Sequence, residues 1–341
     1  MKKTPARRTF VLVLFLLGSA GLMPATEPYR FLHEIPVGGD GGWDYLSVDP
    51  SAHRLYVTHA TKIVVIDTIK DAVVGEIDGL SGVHGFALAA NLGRGFASNG
   101  RENTVSIVDL STLQTLAKVA TGENPDAILF EPVQAEVYAF NGRSQSASVF
   151  SAATGRVAAT IALGGKPEFS QADGSRIFVN LEDRNEVAVL DVKTHLVTAR
   201  WPIAPGEEAT GLDLDHEHHR LFLGCGNEKL IVLDSRDGHR VASLPTGKGI
   251  DAVAFDAGTQ LIFTSNGADG TVTVVHEDTP DKFTVVQTLP TERGARTMAV
   301  DPVSHQLYLA SAMFEARKPG ETKRPKLVPG TFKVLVYALK N

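Results

Sequence analysis

Cysteine is almost missing from this chain: Cys225 is the only one among 341 residues. No intrachain disulfide can form, so the fold must hold without one. A lone Cys in an apolar strand reads first as a small buried hydrophobe. No GxSxG elbow, phosphate-binding loop or CxxCH motif occurs, and no Ser-His-Asp triad can be placed from spacing. The commonest sequence marks of serine hydrolases, nucleotide enzymes and c-type haem proteins are therefore absent. His216-Glu217-His218-His219 lacks the HExxH spacing that sets two ligands on one helix face, and reads as a solvated turn. Positive charge is also short, with Lys+Arg 33 against Asp+Glu 39 and a net charge of −6. That argues against general affinity for a polyanion, so nucleic acid is not an expected partner. The one long apolar run, residues 10–17, is too short to span a bilayer comfortably, and no stable membrane anchor is expected.

What the N-terminus does have is order. Basic MKKTPARR is followed by apolar FVLVLFLL and then small-residue GSAGLMPAT. This is the pattern of a secretory signal over residues 1–25, with cleavage near Ala25. Arg7-Arg8 resembles a twin-arginine signal, but Ala6 departs from the usual hydroxyl residue and ordinary Sec export is favoured. No Cys follows the apolar run, which speaks against a lipoprotein anchor. Either route predicts a periplasmic or secreted protein.

The rest of the chain is periodic. A Gly/Pro-rich turn, one variable residue and a short apolar strand recur seven times, as in ENPDAILFE at 123–131. The variable residues are Asp44, His84, Asp126, Glu168, Thr210, Asp251 and Arg296, spaced 40, 42, 42, 42, 41 and 45 apart. A period near 40 with four strand-like segments per unit predicts an all-β fold, a seven-bladed β-propeller of four-stranded antiparallel blades. The domain is expected over 30–340, with blades at about 42–80, 82–122, 123–164, 165–206, 207–247, 248–291 and 292–339. Length alone would suggest two domains, and the repeat overrides it. The third segments, such as KIVVID, TVSIVD and KLIVLD, are β-branched runs suited to half-buried strands. Asp67, Asp109, Asp191 and Asp234 end such runs and read as turn caps.

The last unit has no fourth strand, because the chain stops at Asn341. Residues 30–38, RFLHEIPVG, have the missing form, so the N-terminal strand is expected to complete the last blade. Closure removes the open edge of a linear array. With the first strand of each unit innermost, the variable residues ring one mouth of a central channel. The loops between second and third strands share that rim and bring Asn99, Arg101, Asn141, Arg143 and Asn266. The seventh such loop, 313–331, is long and rich in Pro and Lys/Arg, the form of a lid, a docking segment or an irregular insertion.

Four carboxylates, a guanidinium, an imidazole and a hydroxyl make up the ring. Crowded carboxylates have raised pKa values unless cations sit nearby. Asp126, Glu168 and Asp251, helped by amide oxygens of Asn99, Asn141 and Asn266, would suit Ca²⁺ or another divalent cation. The plainer alternative is a water-filled polar channel. Asn-Gly pairs also have a local explanation, since both residues of a type I′ turn take positive φ.

The segments LYVTHATKIVVIDT (55–68), NTVSIVDLSTLQTLAKVATG (103–122) and NEVAVLDVKTHLVTARWPI (185–203) resemble the YncE-like family of secreted bacterial propellers, or YVTN-repeat proteins. The resemblance implies a seven-bladed, monomeric, periplasmic protein. It is specific for fold and weak for function. Members are linked to single-stranded DNA binding, and relatives with the same blade include lactonases and the propeller parts of redox enzymes. Three functions follow in order of fit. The first is a binding or scaffold propeller taking a small molecule or protein partner at the channel mouth. The second is a metal-dependent lactonase-like hydrolase with Glu168 or His84 as base. The third is single-stranded DNA binding through Trp43, Arg101, Arg143 and the basic residues of 317–326.

Overall fold

The computed structural model describes Met1 and residues 28–316 and 325–340. Apart from Met1, the expected signal segment lies outside the described residues, as do residues 317–324 of the seventh loop. Seven four-stranded antiparallel sheets form a ring. Their inner strands are Trp43–Asp49, Val83–Ala89, Pro125–Glu131, Pro167–Ala172, Ala209–Asp215, Ile250–Asp256 and Met298–Val300. Each lies against the next around the circle, and the last lies against the first.

The ring closes as the sequence predicts. Tyr29–Pro36 pairs antiparallel with Lys333–Leu339, which continues through Leu307–Ser311 to Met298–Val300. This N-terminal strand also bonds sideways to blade six. Tyr29 N donates to Gln287 Oε1 at 2.9 Å, and Gln287 Nε2 donates back to Tyr29 O at 2.8 Å.

Among the described residues no single central core forms. Apolar side chains collect in seven clusters, one for each interface between neighbouring blades. Each second strand supplies one anchor aromatic, namely Tyr56, Phe96, Tyr138, Phe178, Phe222, Phe263 or Tyr308, and none is more than 1% exposed. An aromatic buries the largest area per residue, which suits a thin layer between two sheets. The apolar faces are thus largely consumed between blades, and the variable residues at the channel mouth are free to be polar.

The third-strand aspartates are turn caps. Asp67 accepts from the Ile69 and Lys70 amides, Asp109 from Ser111 and Thr112, Asp191 from Thr194 and Asp234 from Arg236. Asp67 and Asp109 are pulled down to about 2, chiefly by hydrogen bonds from the Lys70 and Ser111 side chains respectively.

Candidate functional site

Six of the seven variable residues sit on a backbone irregularity that the sequence did not announce. In blade one, Trp43 faces His59 and Leu46 faces Val57, so one extra residue is fitted between them. The same shift recurs at His84, Asp126, Glu168, Thr210 and Asp251. A β-bulge bends the strand and re-aims side chains, and here it falls where the strands reach the channel mouth. Hydroxyl and amide groups pin the strands one to the next. Ser98 Oγ donates to Asp126 O at 2.5 Å, Thr210 Oγ1 to Ile250 O at 3.2 Å and Thr297 Oγ1 to Asp44 O at 2.6 Å.

Three ring residues meet directly. His84 Nδ1 lies 2.7 Å from Asp44 Oδ2 and 3.7 Å from Asp126 Oδ1. All three are partly exposed and could together ligate one cation. Burial works against the His84 imidazolium, but the Asp44 hydrogen bond and the charge of Asp126 outweigh it and raise its pKa. Asp126 is lifted to about 6, by burial first and by Asp44, against the pull of His84.

The other carboxylates of the ring are already partnered. Glu168 Oε1 lies 2.6 Å from Lys166 Nζ, which also contacts Glu182. Arg296 reaches Asp251 at 3.4 Å and donates to Trp43 O at 2.6 Å, with its guanidinium carbon 5.9 Å from the Trp43 ring centre. Asp126, Glu168 and Asp251 are therefore not gathered round one ion, and this corrects the expected metal set. Each of the last two faces a cation of its own, and the carboxylate and imidazole that join Asp126 are Asp44 and His84.

The asparagines need a second correction. Asn99, Asn141 and Asn266 are fully buried strand ends and not exposed at the rim, with the Oδ1 atoms of Asn99 and Asn141 left without a hydrogen-bond donor. Asn99 Nδ2 donates to Thr104 and Ser106, Asn141 Nδ2 to Ser146 and Ser148, and Asn266 Nδ2 to Thr271 and Thr273. They brace the third strand of their own blades. None has positive φ, so the type I′ turn explanation fails as well. Arg101 and Arg143 are exposed at the rim. Trp43 is 5% exposed, packed on Phe332 and Phe314, and offers no open face for a nucleobase.

Two residues missed in sequence shape the floor of the mouth. Tyr45 of blade one and Phe169 of blade four meet across the channel, ring centres 5.2 Å apart. Burial, then the charges of Asp126, Asp44, Glu168 and Asp251, hold the Tyr45 phenol well above its usual range. The signal was present: the position after the variable residue is Gly85, Ala127, Gly211, Ala252 or Thr297 elsewhere, and aromatic only here. Below them Asp213 takes bonds from Gln171 Nε2 at 2.8 Å and Phe255 N at 2.7 Å, tying blades four, five and six. Beside the mouth, between blades six and seven, a cleft of about 960 Å³ is lined by Asp251, Arg296, Glu292, Met313 and Phe314 among others.

Glu168 gives a pH prediction. Burial first, then Asp126, lifts its carboxyl from 4.5 to about 8, although Lys166 pulls the other way. Burial works against the Lys166 charge, but its hydrogen bonds to Glu168 and Glu182 outweigh it and raise its pKa. Glu168 thus binds its proton more tightly folded than unfolded. Its contribution is complete below about 4.5 and is lost as pH rises through about 8. In chelated protein that loss has a slope of up to about 1.4 kcal/mol per pH unit. Glu168→Gln is expected to flatten this stretch of the urea-midpoint profile; superimposable profiles would show that Glu168 ionises normally.

No protein-family model and no curated protein matches the sequence. Solved structures do resemble it. A chain titled Kuenenia stuttgartiensis hydrazine synthase superposes with a TM-score of 0.71 at 14% identity, over 80% of this chain and 94% of that one. U3-55K superposes with a TM-score of 0.74 at 13% identity, over 92% and 99%. What they share is the fold. At such identity nothing further carries over, and neither comparison bears on the resemblance to YVTN-repeat proteins.

Proposed function

We propose that this propeller is an exported binding protein of the YncE-like kind whose channel mouth takes a cationic ligand. The ligand is a divalent metal ion, or the ammonium or guanidinium group of a small molecule or peptide. The observation that carries this reading is the Asp44–His84–Asp126 cluster on a closed floor. Two carboxylates there share a single imidazole, and carboxylate pKa values are raised around them. A bound cation would relieve that crowding and displace the His84 proton. The neighbouring cleft has room for the body of an organic ligand.

Calorimetric titration separates the two sources. Ca²⁺, Mn²⁺ and Zn²⁺ form one arm, and arginine amide and spermidine the other, each against wild type and Asp126→Asn. One equivalent of binding is expected to vanish in the variant. Equal binding to both proteins, or none to either, removes the mouth as the site. A lactonase-like hydrolase is the second reading, favoured by Glu168 with its pKa near neutrality beside a metal-type cluster. Lactone turnover abolished by chelator and by Glu168→Gln would establish it; chelator-insensitive or absent turnover would end it.

A further inference from the structure

The opposite rim holds a second cluster, built by blades five and six. Asp215 ends the inner strand of blade five, and His218 follows in the adjoining turn. Glu277 comes from the third strand of blade six. His218 Nδ1 lies 2.7 Å from Asp215 Oδ2 and 3.3 Å from Glu277 Oε1. The three ligand atoms all fall within 4.8 Å of one another. The sequence reading of 216–219 as a solvated turn fits His216, Glu217 and His219, which are exposed, but not His218. A residue nearly sixty positions away completes the group.

Glu277 is the unexpected member. Its side chain is 0% exposed, no donor from another residue satisfies either oxygen, and burial and then the adjacent Asp215 charge push its carboxyl up to about 7. The single Nδ1 proton available to His218 is directed at Asp215. Arg220, close by, is committed to Asp234 Oδ2 and Asp281 Oδ1, each at 2.8 Å. A buried carboxylate with no donor is costly, and a native fold needs a reason to keep one.

The repeat shows how singular it is. Glu277 N donates to Gln260 O, a bond that ties the end of the third strand to the turn before the second. In five other blades the donor of that bond is Thr68, Leu110, Ala152, Val192 or Ser235, all uncharged. Other imidazole–carboxylate pairs occur on this rim, such as His195 with Glu136 and His305 with Asp256, and neither of these has a third member. Only the blade five–six interface, among the described residues, adds a buried carboxylate to such a pair.

We propose that Asp215, His218 and Glu277 bind a divalent cation that clamps blades five and six together on the face away from the channel mouth. Two carboxylate oxygens with one imidazole nitrogen suit Mn²⁺, Zn²⁺ or Fe²⁺. Ca²⁺ prefers six to eight oxygens and fits poorly. The part-exposed His218 leaves one side open for entry and for water as a further ligand. Binding replaces the Nδ1 proton, so uptake releases a proton.

The test uses full-length protein stripped with chelator, in the Asp126→Asn background so that the mouth does not contribute. Native mass spectrometry with Mn²⁺ or Zn²⁺ is expected to show one equivalent, and melting temperature is expected to rise. Glu277→Gln should weaken binding at least tenfold and erase the thermal shift. His218→Ala, altering a part-exposed residue, does the same if the Glu277 variant folds poorly. The double variant His216→Ala/His219→Ala should keep the site. Absence of uptake, undiminished uptake in Glu277→Gln, or loss in the double variant (adventitious binding to surface histidines) would each overturn the proposal.

Discussion

In the Asp126→Asn protein, divalent cations no longer raise the melting temperature at the mouth. The comparison is made in a Glu277→Gln background, which silences the opposite rim. An ion at a hundred times its Kd stabilises the parent by about 2.7 kcal/mol. For a domain of this size that is a shift of roughly 5 °C. The variant should show none. Asp126 is the informative choice because its side chain is part-exposed while its backbone carbonyl is held by Ser98. Amide for carboxylate preserves shape and removes the charge. Its burial already pushes this carboxyl up to about 6, so the unliganded variant should be no less stable than its parent near neutral pH. A shift that survives in the variant would place the ion elsewhere.

Removal of residues 28–36 has a larger effect and touches no ligand. The chain is expected to lose its cooperative melting transition and to associate on size-exclusion chromatography. Tyr29 is fully buried between blades six and seven, edge-on to Phe263 at 5.0 Å, and Ile35 is 1% exposed between blades seven and one. One strand therefore serves two interfaces as well as covering the edge of Lys333–Leu339. An uncovered edge is a template for pairing with another chain. A graded version is Ile35→Ala, for which burial of this kind predicts a loss of about 2–5 kcal/mol by denaturant titration. If the truncated protein melts like the parent, ring closure contributes nothing to stability.

Both effects depend on features of different legibility. The propeller and its closure were readable because each unit repeats its anchor aromatic at a near-constant offset, from Tyr56 to Tyr308. The variable positions could be aligned with one another for the same reason. Contacts across the axis could not be. Tyr45 meets Phe169 from the far side of the ring, and no periodicity pairs blade one with blade four. The partition of carboxylates was hidden too, because Glu168 and Asp251, the partners of Lys166 and Arg296, sit on bulges that appear only in the backbone register. The asparagines misled because Asn-Gly is a strong turn signal, whereas here a buried amide satisfies hydroxyls on the next strand. His218 was dismissed on local spacing, although its partner Glu277 comes from the neighbouring blade.

The clasp between Tyr29–Pro36 and Lys333–Leu339 also orders events during synthesis. The earliest strand to leave the ribosome must wait for the latest. At about 5–20 residues per second the delay is on the order of tens of seconds. Until both are present the ring cannot close, and any blades already formed carry an uncovered edge that can pair with another chain.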